Sequence, residues 1–460
     1  TGGAGVGGAT AEAPASPPGL GPPAGFVNAP PCSRYYGQKQ AVRLPKYQGR
    51  VLDWTICGYT PAQLRAAYGV PASHLDGSGV GVAVVDAYAS PTLASDVNRY
   101  AAAVGDKGFA RGQLRVVVPK GRFRFVKACG GNAWYAEQAL DVEAVHGMAP
   151  GAGVAYYAAR SCADQDFVDA LDRVVSDDAV SVVTNSWGSP MSSETPGLIA
   201  AYEQAFDQGA LEGIGFLFSS GDSGDEYLTT GQVQTDYPTS DPLVTSVGGT
   251  SVAIGSTGGV LWQTGWGTYT YDLSSNRRLW VPASPPFLYG SGGGYSSFAR
   301  PSYQDGVVPA TTTGRAVPDI SMDADVTTGM LIGLTQRFPR GVAFGTYRIG
   351  GTSLASPLMA GMATLATQAA GTRLGFLNPL LYQLAASGDT GINDVTTNHQ
   401  GQGDARPDFV NHVNASGGVI DHLRTFDQDS SLVTAGGWDD VTGIGSPDGS
   451  FFSAAARIAG

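Results

Sequence analysis

The sequence predicts an α/β protein: a mainly parallel sheet with helices on both faces. Two observations carry this. Short apolar runs of strand length alternate along the chain with longer runs of helical period. The chain has 460 residues and 42% hydrophobic content, enough to bury a large core. Strands separated by helices run parallel and are covered on both sides. Ligands of such sheets bind beyond the carboxyl ends of the strands.

Residues 1–30 are Gly, Ala and Pro with almost no charge and read as a flexible or extended lead segment. Residues 31–58 carry Cys32, Tyr35, Tyr36, Trp54 and Cys57 and read as an arm laid on a body. The body, residues 59–460, opens at Thr60-Pro61-Ala62-Gln63. Thr60 suits a helix N-cap, Pro61 the first helical position, and Gln63 completes a capping box. Gly69 ends that helix. Val80–Asp86, Val154–Ala158, Val180–Thr184, Phe216–Ser219 and Leu243–Val247 read as apolar strands. Ala133–His146, Asp164–Val175, Gly197–Leu211 and Leu354–Ala370 read as helices. Two segments rich in Gly, Ser and aromatics, Gly255–Gly294 and His399–Thr434, break the alternation and are expected as surface insertions walling a cleft.

The charged fraction is 14%, against a usual ~25%. Net charge is -12, and the acid is mostly aspartate, 32 Asp to 7 Glu. The 5 Lys and 22 Arg form no basic stripe, which argues against a nucleic-acid partner. A sparsely charged acidic chain gains little positive self-repulsion when its carboxylates protonate, so it suits low pH. No apolar run approaches the ~20 residues of a membrane span. The start Thr1-Gly2-Gly3 reads as a processed product. Of three possible cysteine pairings, Cys32–Cys57 and Cys129–Cys162 are expected, as disulfides of a secreted protein.

The chemistry centres on Gly350-Gly351-Thr352-Ser353-Leu354-Ala355-Ser356-Pro357. A Gly-Gly-Thr turn precedes a serine, and a helix follows at once. Its first N–H groups and positive dipole end then favour an alkoxide or oxyanion at Ser353. The same residues also suit a plain helix cap. A nucleophilic serine needs a base, and no histidine lies near the motif. Glu137 and Asp141 are one turn apart on a helix and share a face. Two close carboxylates raise one pKa or share a proton, which suits an acidic medium. Seen alone, they also fit an exposed acidic helix face. Asp222, in Ser219-Ser220-Gly221-Asp222-Ser223-Gly224, follows an apolar strand and reaches a sheet edge. It donates to an oxyanion only while protonated.

With these residues in order, the chain resembles the sedolisin family of serine-carboxyl peptidases. The resemblance runs from Tyr59 to the C-terminus. It is carried by Tyr59-Thr60-Pro61-Ala62-Gln63-Leu64-Arg65, by Glu137 through Asp141 with Ala149-Pro150-Gly151-Ala152, and by Asn185-Ser186-Trp187-Gly188. Further on come Ser220 to Gly224, Tyr237-Pro238 with Val244 to Thr250, Ser291 to Ser296 and Arg315 to Ser321. The family implies a three-layer subtilisin-like fold and a Ser353-Glu137-Asp141 triad with Asp222 in the oxyanion hole. It implies protein or peptide substrates and maturation from a pro-domain, to which residues 1–58 once joined. A secreted monomer is expected.

The family also implies one structural calcium ion, held by the carboxylates of Asp394 and Asp439 and the carbonyls of Val395, Ala435 and Gly437. Oxygen ligands of this kind suit a hard cation. Three departures stand out: Gly350 where Ser is usual, Ala435 where Gly is usual, and a longer stretch between Val395 and Ala435. Endopeptidase action is expected, with a tripeptidyl-peptidase as the alternative. A subtilisin-type triad of Asp86, His146 and Ser353 is a rival, although His146 lies nine residues beyond Glu137 on the helix. A non-catalytic binding protein on this scaffold is another.

Overall fold

Seven strands run parallel through the centre of the protein, and an eighth closes one edge antiparallel. The structure is a computed structural model that describes residues 20–388, 391–396, 402–426 and 431–460. The lead residues 1–19 and insertion residues 399–401 and 427–430 lie outside the described residues.

The main strands are β1 (Asp53–Trp54), β2 (Gly81–Ala87), β3 (Leu114–Val117), β4 (Gly153–Ala159), β5 (Val182–Asn185), β6 (Gly215–Ser219), β7 (Thr245–Ile254), β8 (Val260–Gly265), β9 (Gly267–Leu273), β10 (Trp280–Gly290), β11 (Ile320–Asp323), β12 (Met330–Phe338), β13 (Gly341–Ile349), β14 (Gly403–Phe409) and β15 (Val419–Thr425). The main helices are α1 (Pro61–Ala67), α2 (Leu93–Val104), α3 (Trp134–Met148), α4 (Asp164–Asp177), α5 (Pro196–Glu212), α6 (Thr352–Ala370), α7 (Asn378–Ser387) and α8 (Phe451–Ala459).

The central sheet has the order β8-β7-β6-β5-β2-β4-β3, with β11 on β7. Val82 to Val85 are all fully buried, as a strand covered on both faces requires. α3 and α6 pack together on one face, α4 and α5 on the other. This is the expected α/β layering. α1 starts with the expected capping box: Thr60 N–H donates to Gln63 Oε1 at 3.0 Å. α6 begins at Thr352, so Ser353 lies inside its first turn rather than before it.

The two insertions do not stay apart as surface loops. β1 of the arm pairs with β14, and the order β1-β14-β15-β9-β10 makes a second, five-stranded sheet. Ala41 and Leu52 of the arm bury against Ala405 and Leu423 beneath it. The arm is tied by Cys32–Cys57, and Cys129–Cys162 forms the other disulfide, with Cα–Cα distances of 5.0 and 5.5 Å. Both are the expected pairings. Among the described residues, no helix is long and apolar enough to cross a membrane.

One buried ion pair anchors the layer behind the site. Arg315 donates to both oxygens of Asp319, at 2.8 and 2.6 Å. Asp319 also accepts from Ser246 N–H, Tyr382 O–H and Asn378 Nδ2 at 2.8, 2.8 and 3.1 Å. Removing one partner strands the other charge without solvent. Arg315→Ala is expected to cost about 3–5 kcal/mol, read as a lower denaturant midpoint. An unchanged midpoint would show that the pair contributes nothing.

Candidate active site

Every candidate catalytic side chain reaches the carboxyl edge of the central sheet or a helix facing it. Asp86 is near the end of β2, Ser186 just after β5 and Asp222 just after β6. Glu137 and Asp141 sit on α3, and Ser353 on the first turn of α6.

The turn before Ser353 is built for close approach. Gly351 has φ 102°, and a Cβ there would stand 2.7 Å from Asp222 Oδ2. Only glycine meets both conditions. Thr352 N–H donates to Asp222 Oδ1 at 2.7 Å, and the Thr352 hydroxyl lies 2.9 Å from the same oxygen. Oδ1 is thereby occupied, leaving Oδ2 to carry a proton. The Gly350 departure also has a reason, since a Cβ there would lie 2.3 Å from Ala324 O.

Asp141 and Asp86 are fully buried, whereas Glu137, Asp222 and Ser353 are part-exposed along the cleft. Asp141 Oδ1 accepts from the Ser186 hydroxyl at 3.0 Å, and that hydroxyl lies 3.3 Å from Ser353 O. Trp187 Nε1 donates to Val85 O at 2.9 Å and fixes the strand-end turn that presents Ser186. Both Asp86 oxygens, Asp141 Oδ2 and Glu137 Oε1 are buried without a hydrogen-bond partner.

Burial without a cation favours the neutral acid. It pushes Asp86 and Asp141 well above the usual carboxylate range, and the neighbouring carboxylates push further. Glu137 rises to about 7, first through burial, while the hydrogen bond from Ser353 pulls it down and the Asp222 charge pushes it up. Asp222 also rises through burial, held in check by the bonds from Thr352. Burial and neighbouring carboxylates hold Asp86 and Asp141 well above the usual range, so of these three acids Glu137 is the readiest to lose its proton. Beside the Asp222 loop, burial lifts Asp236 to about 8, and the charges of Glu226 and Asp222 add to the rise.

His146 does not join this group. It lies near the other end of α3, 2.7 Å from Lys107 O and stacked on Phe109 at 3.9 Å between ring centroids. The Asp86-His146-Ser353 arrangement is thus not assembled, although Asp86 itself belongs to the site. Sequence reasoning gave no role to Ser186, Thr352, Asp236 or Glu226, although Ser186 stands in a quoted motif.

The Asp394–Asp439 group is also brought together. Asp394 Oδ2 accepts from Gly437 N–H at 2.7 Å, and Asp439 Oδ2 from Ala435 N–H at 3.1 Å. Both carboxylates thus close on one loop. The donor set is all oxygen, which suits a hard cation, although Asp439 also accepts from Val441 N–H, Thr442 N–H and the Thr442 hydroxyl at 2.9, 2.7 and 2.9 Å.

A model of the subtilase family matches residues 128–382. The chain is 30% identical over 419 residues to kumamolisin of Bacillus sp. (strain MN-32), covering 88% of this chain and 64% of that protein. It is 32% identical over 279 residues to sedolisin of Pseudomonas sp. (strain 101), covering 57% and 43%. It is 26% identical over 339 residues to tripeptidyl-peptidase 1 of Homo sapiens, covering 68% and 50%. The chain thus spans 43 to 64% of the length of these relatives. The solved structure of Pseudomonas sedolisin, a serine-carboxyl proteinase complexed with pseudo-iodotyrostatin, superposes with a TM-score of 0.66 at 26% identity, covering 87% of this chain and 98% of that one.

A carboxyl group with a raised native pKa stabilises the fold fully below its unfolded value, and that stability is lost as pH rises through the native value. For Glu137 the window runs from 4.5 to about 7. Thermal or denaturant unfolding should show stability falling across it. Glu137→Gln is expected to remove on the order of 3 kcal/mol of that fall. An identical pH slope in the variant would refute the assignment.

Proposed function

The chain belongs to the subtilase family, in its sedolisin branch, and we propose that it is a secreted, acid-acting serine-carboxyl endopeptidase. The observation that carries this reading is the placing of Ser353, on the first turn of α6, beside the Glu137 carboxyl of α3, with carboxylic acids where other serine peptidases have an imidazole.

Ser353 Oγ attacks the scissile carbonyl carbon, and Glu137 takes the hydroxyl proton. The carbonyl oxygen becomes an oxyanion that accepts from protonated Asp222 Oδ2, with the Ser353 N–H beside it. Glu137 then returns its proton to the leaving nitrogen as the C–N bond breaks. Water repeats the sequence on the acyl-enzyme and regenerates Ser353. Asp141 stays protonated, positions Glu137 and is itself held by Ser186. Asp86 extends the shared proton inventory. Internal cleavage is proposed first and tripeptide release is the alternative, since a tripeptidyl-peptidase also stands among the relatives. Cleavage of a peptide with a blocked N-terminus tests it. Two disulfides support an oxidising, extracellular setting.

The reactive form has Glu137 ionised and Asp222 protonated, one proton between them. Rate against pH is therefore expected as a bell that rises as Glu137 gives up its proton and falls as Asp222 loses its own. A rate that keeps climbing through the alkaline range with no falling limb would rule out this pair of carboxyl groups. Ser353→Ala should lose about 10³-fold or more in kcat, and Asp222→Ala about 10²–10³-fold. Asp222→Asn keeps a donor that never ionises, so its profile should lose the fall at high pH. An unaltered bell in that variant would remove Asp222 from the oxyanion hole.

We also propose that Asp394, Val395, Ala435, Gly437 and Asp439 hold a calcium ion. The ion supplies no chemistry to the reaction and clamps the loop through its charge. Calcium at about 100–1,000 times its Kd should add about 3–4 kcal/mol of stability, seen as a Tm that a chelator lowers and Asp394→Asn makes chelator-insensitive. A Tm indifferent to chelation would exclude the ion.

A further inference from the structure

Two residues beyond Asp86 the chain turns at Tyr88. Tyr88 has φ 68°, in the left-handed region that a bulky side chain seldom adopts, and it is fully buried. Such a conformation persists only where its surroundings hold it from several sides, and it clusters at functional sites. The backbone of this turn is held from two elements. From β4, Ala159 O accepts from Tyr88 N–H at 2.9 Å, and the Tyr156 hydroxyl donates to Tyr88 O at 2.7 Å. From α3, Gln138 Oε1 accepts from Ser90 N–H at 2.8 Å, and Gln138 Nε2 donates to Ala87 O at 3.0 Å.

β4 is already paired with β2, so its bonds extend a contact that the sheet makes in any case. Gln138 is different, because one side chain joins the strand that carries Asp86 to the helix that carries Glu137 and Asp141. It follows Glu137 directly, so it leaves α3 about 100° round from it. It shares a side with Asp141, three residues on. Gln138 is fully buried and bonded through both its oxygen and its nitrogen. The acids around it are not so held: both Asp86 oxygens, Glu137 Oε1 and Asp141 Oδ2 have no hydrogen-bond partner. No bond to its own carboxyl group fixes where Asp86 stands, so the backbone beside it must.

We infer that Gln138 is a positioning residue for the proposed reaction: it locks the Tyr88 turn to α3 and so sets the separation of the Asp86, Asp141 and Glu137 carboxyl groups. The inference rests on the peptidase reading and adds a residue that acts through those acids rather than on the substrate. The acids respond to this separation, since the Glu137 charge acts on Asp86, and the charges of Asp86 and Glu137 act on Asp141. The other groups that face Glu137 are Ser353 on α6, Asp222 after β6 and Tyr347 on β13.

The test compares Gln138→Leu, Gln138→Asn and Gln138→Glu with the unaltered protein on a quenched peptide. Leu fills the space but leaves Ser90 N–H and Ala87 O unpaired, and should lower kcat about tenfold with KM unchanged. Asn keeps the amide but is one methylene too short to span both groups, and should lose kcat in the same sense. Glu, while protonated, accepts from Ser90 N–H and donates its O–H to Ala87 O, so it should restore kcat at acid pH. A Gln138 that only braces the fold would lower the Tm of its variants and leave kcat per folded molecule as it was. That result, or Gln138→Glu no better than Gln138→Leu at any pH, would overturn the inference. Should Gln138→Leu fail to fold, Gln138→Asn takes its place in the comparison. If the unaltered protein cleaves no peptide, the peptidase reading fails, and unfolding against pH still reads the joint. A loosened joint admits water to Glu137 and lets its raised pKa fall back. The stability lost between pH 4.5 and about 7 should then shrink in the Leu and Asn variants. An unchanged loss would overturn the inference on that side as well.

Discussion

A carboxylic acid buried without a cation keeps its proton until the pH is high enough to force the charge on it. That constraint governs the centre of this protein. Asp86, Glu137 and Asp141 lie within reach of one another's charges, and among the described residues no arginine, lysine or histidine is bonded to them. Their protonated forms are what the apolar core tolerates. The same condition sets the chemistry, because only the first proton to leave creates a base. Asp86 and Asp141 are pushed higher by burial and by neighbouring carboxylates, which leaves Glu137 the readiest of the three. Stability and reactivity are thus tied to one range of pH.

The scaffold enforces the arrangement from two directions. Parallel strands end on one edge, which delivers Asp86, Ser186 and Asp222 to a common line. α3 and α6 pack against each other on one face of the sheet and bring Glu137 and Asp141 to Ser353. α3 is buried nearly all round from Gln138 to Met148, so its acids have no solvent to turn towards. Gly351 lets the Asp222 loop touch the start of α6, and Thr352 locks that contact. Ser353 therefore faces a proton acceptor on one side and a proton donor on the other.

Much of this was legible because it is local. The Gly-Thr-Ser turn, the one-turn spacing of Glu137 and Asp141, the capping box at Thr60 and the alternation of strands and helices each lie within a short window. What escaped depends on distant pairing. β1 is two residues long and joins a strand some 350 residues away, across Asp53 and Asp404. The segments around β9, β10, β14 and β15 are broken by glycine and proline, so their period-two pattern is faint. Asp86 was weighed only as a partner of His146. The register of β2 beside β4 and β5, which carries Asp86 towards α3, is not written in its own neighbourhood. Ser186 looked like an ordinary strand-end residue until Asp141 stood 3.0 Å from it.

Burial alone does not mark an acid as reactive, and Asp319 shows why. It is as inaccessible as Asp86, yet its two oxygens receive Arg315, Tyr382, Asn378 and a backbone N–H. Such an acid holds its charge in place and braces the strands around it. Asp86 receives nothing, and Asp141 receives one serine hydroxyl. The fold has the means to satisfy a buried aspartate and uses them a short distance from the site. It leaves oxygens of Asp86, Glu137 and Asp141 without a donor, as it also does at Glu143 and Asp323. What sets the first three apart is that their charges act on one another and that Glu137 lies beside Ser353.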